Sequence, residues 1–170
     1  VPGGSKIPAK QGLRSTGLED LQLQHNDTQL AQGKIDMIGI ILAAGIGSRL
    51  RPMTNTKPKC LVTSAGKPIL EYQIDAYIEA GVQELVIVVG YESDAIRNYC
   101  KHIKGVAIHI VENSDYETTN NMYSLYLVRN LAEGKDFILN NADLTIDKSI
   151  VSELVRYSPA NAIAVDSSMY

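Results

Sequence analysis

Short, almost continuous apolar runs of strand length alternate with helix-like segments along most of this chain. The run MIGIIL at residues 37–42 and the run ELVIVV at residues 84–89 are rich in β-branched residues. Between them, residues 69–80 carry apolar side chains at i, i+4, i+7 and i+8, which is helical spacing. An uninterrupted apolar strand is typical of a parallel sheet that helices cover on both faces. The alternation therefore predicts βαβ units and an α/β fold.

The later elements continue this pattern. Helical spacing predicts helices over residues 93–103, 120–131 and 148–157, and apolar runs predict strands over residues 106–111, 137–140 and 162–165. The predicted architecture is Rossmann-like, with a mixed, mainly parallel sheet flanked by helices.

The first 36 residues differ from the rest. Residues 1–36 are rich in Gly, Gln, Ser and charge, and their apolar periodicity is weak. We expect them to form a disordered leader or a tail added for expression, with a short amphipathic segment as the alternative. The domain is then predicted to span residues 37–170.

Composition excludes several classes of function. A formal net charge of −3 over 170 residues argues against a nucleic-acid surface, which requires a basic face. No apolar run approaches the roughly 20 residues that span a bilayer, and no signal-peptide core is present, so we expect no membrane span and a cytoplasmic location. Cys60 and Cys100 lie far apart without a CxxC motif, which indicates neither a zinc site nor a disulfide framework.

The loop after the first predicted strand carries the most chemical information. Residues 42–59 have the sequence LAAGIGSRLRPMTNTKPK. Because Gly45 and Gly47 lack side chains, backbone N–H groups can approach phosphate oxygens or the edge of a base, and Arg49 and Lys59 add positive charge. The third glycine of GxGxxG and the Gly-Lys-Ser/Thr ending of a Walker A loop are both absent. We predict a polyphosphate-binding loop of another type, with a solvated basic turn as the alternative.

Three motifs in this region resemble one known family. LAAGxGxRLxPxT matches residues 42–54, PKxL matches residues 58–61 and GKPIL matches residues 66–70. Together they are similar to the pyrophosphorylase-type nucleotidyltransferases. The resemblance implies a nucleotide-diphospho-sugar transferase-like fold. It also implies transfer of a nucleoside monophosphate from a nucleoside triphosphate to a phosphorylated or phosphonylated acceptor, with release of pyrophosphate.

The same resemblance implies roles for residues of the loop. Arg49 would hold the β- and γ-phosphates, and Lys59 would lie beside the α-phosphate and help align the acceptor oxygen. These two are the predicted catalytic residues. The predicted nucleotide-binding positions of this loop are Leu42, Ala43, Ala44, Gly45 and Gly47.

Asp143 follows the predicted strand at residues 137–140. A carboxylate at the carboxyl end of a strand suits Mg²⁺, which binds one or two carboxylates together with phosphate oxygens and water. We therefore predict Mg²⁺ as the cofactor and Asp143 as its ligand. The alternative is a turn or capping aspartate, although Asp147 stands directly before the helix predicted at residues 148–157 and suits that role better.

Residues 116–127 have the sequence YETTNNMYSLYL. This segment narrows the choice of nucleotide and of acceptor. Sugar-1-phosphate members have a glycine-rich segment at the matching place, whereas this segment resembles cytidylyltransferases that act on phosphocholine, aminoethylphosphonate or inositol phosphate. Asn120 or Asn121 suits the donor and acceptor edge of cytosine, and Thr119 suits the ribose or base. An N-cap would account for one of the two asparagines. Tyr123 either packs in the helix core or contacts a choline head group.

The resemblance also sets expectations for the acceptor side. Family members take a second metal-binding aspartate from later strands, and that residue does not occur in this sequence. We therefore expect a domain truncated at its C-terminus, with the acceptor part missing or completed by a second chain. Asp166, after the predicted strand at residues 162–165, suits an ammonium group of the acceptor, with a solvated aspartate as the alternative.

The leading hypothesis is a Mg²⁺-dependent cytidylyltransferase that uses CTP and a small phosphorylated or phosphonate acceptor. Phosphocholine is the first choice, followed by aminoethylphosphonate and inositol phosphate. A sugar-1-phosphate nucleotidyltransferase and a non-catalytic nucleotide-binding or regulatory module are the alternatives.

Overall fold

The computed structural model describes residues 37–157 and 161–165, and the leader predicted at residues 1–36 lies outside them. None of the helices in the described part of the chain has the length and apolarity needed to cross a membrane. The strands are β1 (Met37–Ala43), β2 (Thr63–Ser64), β3 (Lys67–Pro68), β4 (Glu84–Val89), β5 (Ala107–Glu112) and β6 (Asp136–Asn141). The α-helices are α1 (Ile69–Glu79), α2 (Ser93–Cys100), α3 (Asn121–Leu127), α4 (Arg129–Ala132) and α5 (Lys148–Arg156), and 3₁₀ turns occur at Ser48–Leu50 and Lys59–Leu61.

Four parallel strands form the central sheet in the order β5-β4-β1-β6. Ile41 of β1 pairs with Ile87 of β4 on one side and with Asn140 of β6 on the other. The chain runs outward from β1 to β4 and β5, and then returns past β1 to β6. This reversal creates a switch point between β1 and β6, where open α/β sheets bind ligands. The α/β fold with a mainly parallel sheet is confirmed.

Alternate side chains of β1 enter two separate apolar layers. Ile41 and Ala43 pack among residues of α1, α2 and α5, whereas Ile38 and Ile40 pack with Val128 on the opposite face. Side chains of a strand point alternately to its two faces. Helices therefore cover β1 on both sides, which explains its unbroken apolar sequence.

Helix α1 packs tightly against this sheet because Gly39 leaves room for it. A Cβ at Gly39 would lie 2.7 Å from a ring carbon of Tyr77 and would also overlap Leu85. Tyr77 is fully buried, and its hydroxyl donates a hydrogen bond of 3.0 Å to the backbone carbonyl of Ile138. Helix α1 is thereby joined to β6, the strand that leads to Asp143.

The structure corrects the helix predicted over residues 120–131. It divides into α3 and α4 at Val128, whose φ of −96° and ψ of 2° are not helical. Val128 is fully buried. The apolar spacing therefore continues through the break, and periodicity alone does not reveal it.

The strand predicted over residues 162–165 is wrong. Residues 161–165 have no regular structure, and Ile163 and Val165 are 87% and 80% exposed. A strand needs a neighbour to pair with its backbone. Within the described ranges no strand pairs with this segment. Its apolar sequence alone is therefore insufficient to form a strand.

Helix α2 is shorter than the predicted range of 93–103. It ends at Cys100, after which the N–H groups of His102 and Ile103 donate to carbonyls three residues earlier, at 3.2 and 3.1 Å. Such bonds tighten the last turn and satisfy the terminal carbonyls.

Candidate active site

A cavity of about 280 Å³ lies at the carboxyl ends of β1 and β6, at the switch point of the sheet. The loop after β1, the start of α3 and the turn after β6 contribute to its walls. The cavity is lined by Leu42, Ala43, Gly45, Gly47, Ser48, Arg49, Lys59, Cys60, Asn121, Asn141, Ala142 and Asp143. The structure thus brings together both predicted catalytic residues, the predicted metal ligand and most of the predicted nucleotide-binding positions.

A larger groove of about 640 Å³ lies beside α3, α4 and Phe137. Its walls are mostly apolar, and none of the predicted site residues contributes to them. Polyphosphate binding requires convergent cations and backbone donors. The smaller cavity is therefore the candidate active site.

The position of Gly47 brings the glycine loop against Lys59. Gly47 has a φ of +68°, in the left-handed region that favours glycine, and a Cβ there would lie 2.9 Å from Cβ of Lys59. The hydroxyl of Thr54 donates 2.9 Å to the Gly47 carbonyl and fixes the turn from the other side. By contrast, a Cβ at Gly45 would meet nothing within 4 Å. Gly47 is thus required by the packing of the loop, whereas Gly45 leaves open space in the cavity.

Lys59 and Asp143 form an ion pair in the cavity lining. Lys59 begins a 3₁₀ turn after Pro58, and its Nζ lies 2.5 Å from Oδ2 of Asp143. The two side chains are 29% and 41% exposed, respectively. The pair therefore remains accessible to a ligand while each charge neutralises the other.

Arg49 lies on the 3₁₀ turn at Ser48–Leu50 and is exposed at the cavity. Among the described residues it forms no ion pair. Its guanidinium is consequently available to an anion, and its planar donor set suits bidentate contact with phosphate.

Tyr91 holds the basic loop from outside the cavity. Its hydroxyl lies 3.1 Å from the Thr54 carbonyl and 2.8 Å from the Asn55 carbonyl, and its backbone N–H donates 3.0 Å to the Ala44 carbonyl. This tyrosine comes just after β4, so the loop after β1 is attached to the neighbouring strand. In the sequence, this contact is indicated only by the position of Gly90-Tyr91 at the end of a predicted strand.

The two asparagines before and in α3 have different positions. Oδ1 of Asn120 accepts hydrogen bonds from the backbone N–H groups of Met122 and Tyr123, at 3.0 and 3.3 Å, and caps the helix. Asn121 lines the cavity, and its Nδ2 donates 2.9 Å to Oδ1 of Asn141. The capping alternative therefore describes Asn120, while Asn121 connects α3 to the end of β6.

Thr119 lies beside this cap but does not line the cavity. Its hydroxyl donates 2.8 Å to the carbonyl of Asp115 and accepts from Nδ2 of the buried Asn113 at 3.0 Å. Ala44 is also outside the cavity lining, although its neighbours on both sides contribute to it.

Tyr123 packs against a neighbouring aromatic side chain. It stacks on Tyr126 with a centroid distance of 6.2 Å and is not among the residues that line the cavity. Tyr126 is 54% exposed and carries the Arg129 guanidinium 4.0 Å from its ring centroid. Neither tyrosine is fully buried, so a core role does not describe this pair. Asp166 lies outside the described residues.

Asp143 is the single acidic side chain in the cavity lining. No group of three His, Cys, Asp or Glu side chains within residues 37–157 and 161–165 is arranged to hold a metal ion. Mg²⁺ needs only one or two carboxylates when phosphate oxygens and water complete its shell. An accessible carboxylate beside a cationic loop fits that requirement, so Asp143 is suited to a magnesium ion that arrives with a phosphate ligand.

Cys60 lies in the cavity wall as a neutral thiol. It is 2% exposed, and burial, with a smaller effect from Cys100, raises its pKa to about 12. A thiol protonated at neutral pH supplies neither a nucleophile nor a metal ligand.

Asn141 and Gln73 are polar residues of the site region that the sequence motifs do not predict. Asn141 lines the cavity between Asn121 and the Asp143 turn, and its place at the end of an apolar run was an available signal. Gln73 lies behind that turn, fully buried in α1. In the sequence, Gln73 is recognisable as a polar residue on the apolar face of the predicted helix.

Comparison with known proteins agrees with this architecture. Residues 38–167 match the family described as Nucleotidyl transferase. The CTP:phosphoglutamine cytidylyltransferase of Campylobacter jejuni is 36% identical over 137 residues, which cover 78% of this chain and 53% of that protein. The 2-aminoethylphosphonate cytidylyltransferase of Lancefieldella rimae is 37% identical over 108 residues, which cover 63% of this chain and 43% of that protein.

This chain is also similar to a solved cytidylyltransferase structure. The CTP:phosphocholine cytidylyltransferase of Streptococcus pneumoniae superposes with a TM-score of 0.57 at 40% identity, covering 64% of this chain and 45% of that one. The chain spans about half the length of the curated relatives it matches. The resemblance seen in the three loop motifs is confirmed, and this chain belongs to the nucleotidyl transferase family.

Proposed function

We propose that this protein is a cytidylyltransferase, which transfers CMP from CTP to a small phosphate or phosphonate acceptor and releases pyrophosphate. The observation that carries the proposal is the convergence of the glycine loop, Arg49, Lys59 and Asp143 on one cavity at the switch point of the sheet. Such a cavity offers backbone donors, two cations and one carboxylate to a polyphosphate ligand.

The triphosphate would bind along the loop after β1. Gly45 leaves the backbone open to close approach, and the guanidinium of Arg49 would hold the β- and γ-phosphates. Lys59 would contact the α-phosphate, since it lines the cavity directly beside Gly47 of the glycine loop. Fixed cations of this kind stabilise the charge that develops during phosphoryl and nucleotidyl transfer.

In the proposed reaction an oxygen of the acceptor phosphate attacks the α-phosphorus of CTP. The new bond joins that oxygen to the α-phosphorus, the bond from the α-phosphorus to the bridging oxygen breaks, and the bridging oxygen leaves on pyrophosphate. Lys59 would orient the α-phosphate for this in-line displacement, and Arg49 would hold the departing pyrophosphate.

Asp143 would hold Mg²⁺ together with phosphate oxygens. When bound, the ion would supply charge neutralisation on the triphosphate. The Lys59–Asp143 ion pair supports this assignment because it keeps a lysine and a carboxylate adjacent in the cavity, ready for an anionic ligand and its cation.

Cytidine is the proposed nucleoside. Asn121 lines the cavity with an amide, which offers both a donor and an acceptor to the cytosine edge. Asn120 and Thr119 lie beside it, and they are proposed to support this recognition by fixing the start of α3 that carries Asn121. The cytidylyltransferases among the relatives support CTP over other nucleotides.

Phosphocholine is the first-choice acceptor, with aminoethylphosphonate and inositol phosphate next. The relatives that act on phosphocholine and 2-aminoethylphosphonate support an acceptor with a phosphate or phosphonate and an ammonium group. Tyr123 and Asp166 are proposed to face that ammonium group.

The test is pyrophosphate release with CTP, Mg²⁺ and a panel of acceptors: phosphocholine, 2-aminoethylphosphonate, inositol phosphate and glucose 1-phosphate. We expect release with CTP and one of the first three, and none in EDTA. Release only with UTP, dTTP or GTP and a sugar phosphate would instead establish a sugar-1-phosphate nucleotidyltransferase. Calorimetric binding of CTP by the full-length protein, without turnover of any acceptor, would instead support a non-catalytic nucleotide-binding or regulatory module.

A further inference from the structure

Gln73 is a fully buried glutamine on the apolar face of α1. Its Nε2 donates hydrogen bonds of 2.8 Å to the Asn141 carbonyl and 2.6 Å to the Leu144 carbonyl. These two carbonyls stand on either side of Ala142 and Asp143. One amide group therefore holds both ends of the turn that carries the cavity carboxylate.

The helix that carries Gln73 is anchored in the core. Leu70, Ile74 and Tyr77 are all fully buried on the same face, and the Tyr77 hydroxyl is bonded to β6. The turn has a second attachment, because the N–H of Ala142 donates 3.0 Å to the carbonyl of Leu42 in β1. The backbone around Asp143 is thus fixed to α1 and to the strand that begins the glycine loop.

Burial of this glutamine has a cost. Its Oε1 is buried and has no hydrogen-bond partner among the described residues. A buried polar atom without a hydrogen-bond partner lowers the stability of the folded state. An apolar side chain of the same volume would avoid that cost but would also leave two carbonyls without donors, so the two hydrogen bonds account for the amide.

We propose that Gln73 is a positioning residue, which holds the turn at residues 141–144 so that the Asp143 carboxylate faces Lys59 and the metal-bound nucleotide. The inference rests on the proposed function, because it assigns the carboxylate to a magnesium nucleotide. Gln73 itself touches no substrate. Groups that orient a metal-binding carboxylate typically change metal affinity or activity by about 10- to 100-fold when they are removed.

The experiment compares Gln73→Met with Tyr77→Phe. Gln73→Met keeps the volume and removes both hydrogen bonds to the turn. Tyr77→Phe removes a hydrogen bond from the same helix to the same strand, but at Ile138, away from the turn. Both variants lose a buried hydrogen bond, so a general loss of stability affects both.

Two readouts separate positioning from stability. Amide hydrogen exchange of residues 142–146 should accelerate by at least about tenfold in Gln73→Met, and not in Tyr77→Phe. Binding of Mn²⁺, measured by electron paramagnetic resonance with CTP present, should weaken by about tenfold or more in Gln73→Met only. In turnover, the Mg²⁺ concentration for half-maximal rate should rise by a similar factor.

Equal exchange and equal Mn²⁺ affinity in the two variants would overturn the proposal. If the wild type neither binds Mn²⁺ with CTP nor releases pyrophosphate, the proposed function fails, whereas the exchange measurement still decides whether Gln73 holds the turn. If Gln73→Met does not fold, Gln73→Glu replaces it. Its protonated carboxyl group retains one donor, so faster exchange is expected at one end of the turn, and unchanged exchange would contradict the proposal.

Discussion

Nζ of Lys59 lies 2.5 Å from Oδ2 of Asp143, although the two residues are separated by 84 positions in the sequence. The contact joins the loop after β1 to the turn after β6. Both segments leave the same edge of a parallel sheet, so the topology brings them together. The predicted catalytic lysine and the predicted metal ligand therefore face one cavity.

We expect Lys59→Met to lower kcat by at least about 100-fold, because a preorganised cation that stabilises the transition state contributes on that order. Asp143→Asn should instead raise the Mg²⁺ requirement. Both variants should unfold within about 1 kcal/mol of the wild type, since a partly exposed ion pair contributes little to stability. Steady-state kinetics over a range of Mg²⁺ and urea unfolding measure these effects.

The matched control for this ion pair is Lys148→Met. Its Nζ lies 2.6 Å from Oε2 of Glu79, and neither residue lines the cavity, so the substitution removes an exposed ion pair outside the site. Activity of Lys148→Met should equal that of the wild type. A similar loss of activity in all three variants would show that the Lys59–Asp143 pair acts through general stability.

Gly47→Ala should destabilise the protein by roughly 1 to 3 kcal/mol and abolish nucleotide binding. The new Cβ would need a left-handed backbone conformation and would press on Cβ of Lys59. Gly66→Ala is the control for backbone strain alone, because Gly66 has a φ of +83° with open space around it. Gly45→Ala should leave stability unchanged. Urea unfolding and calorimetric CTP titration should therefore rank the three variants, and equal stability of Gly47→Ala and Gly45→Ala would contradict the packing argument.

Strands β1 and β4 were predictable because their side chains are buried on both faces, which favours an unbroken apolar sequence. β4 occupies Glu84–Val89, the predicted range, and β6 extends the predicted range by one residue at each end. The strand predicted at residues 162–165 does not form. Its apolar sequence permits a strand, but pairing depends on a neighbour, which is a non-local condition.

Residues of the candidate site were predictable where they belong to a recognisable motif or follow the end of a predicted strand. The glycine loop, Arg49 and Lys59 lie in one segment with recognisable motifs, and Asp143 follows a strand end. Gln73 was not identified, although it stands three residues after Leu70 and four before Tyr77 on the apolar face of α1. A polar side chain at such a position indicates a buried partner, but only the structure identifies that partner as the Asp143 turn.

Stability should fall as the pH rises above about 9. Burial raises the pKa of the Cys60 thiol from 9.0 to about 12, so between these values the unfolded state loses a proton that the folded state keeps. The favourable contribution is complete below pH 9 and is lost progressively toward pH 12. Between pH 8 and pH 10.5, ionisation of the Cys60 thiol in the unfolded state should lower the free energy of unfolding by on the order of 1 to 2 kcal/mol. Urea unfolding of Cys60→Ala should show a smaller decrease over that interval, and an identical decrease would contradict the assignment.

Asn120 and Asn121 should separate into a capping residue and a base-contacting residue. Oδ1 of Asn120 is engaged by two backbone N–H groups, whereas Asn121 lines the cavity. Asn120→Ala should therefore cost about 1 kcal/mol of stability, and Asn120→Ser, which retains a cap, should restore it. Asn121→Ala should reduce the preference for CTP over UTP by about tenfold, because loss of one specific hydrogen bond is worth about 1 to 1.5 kcal/mol. The measurement is kcat/KM with each nucleotide. If Asn120→Ser loses the preference while Asn121→Ala keeps it, the cap residue also recognises the base, and the assignment of Asn121 is wrong.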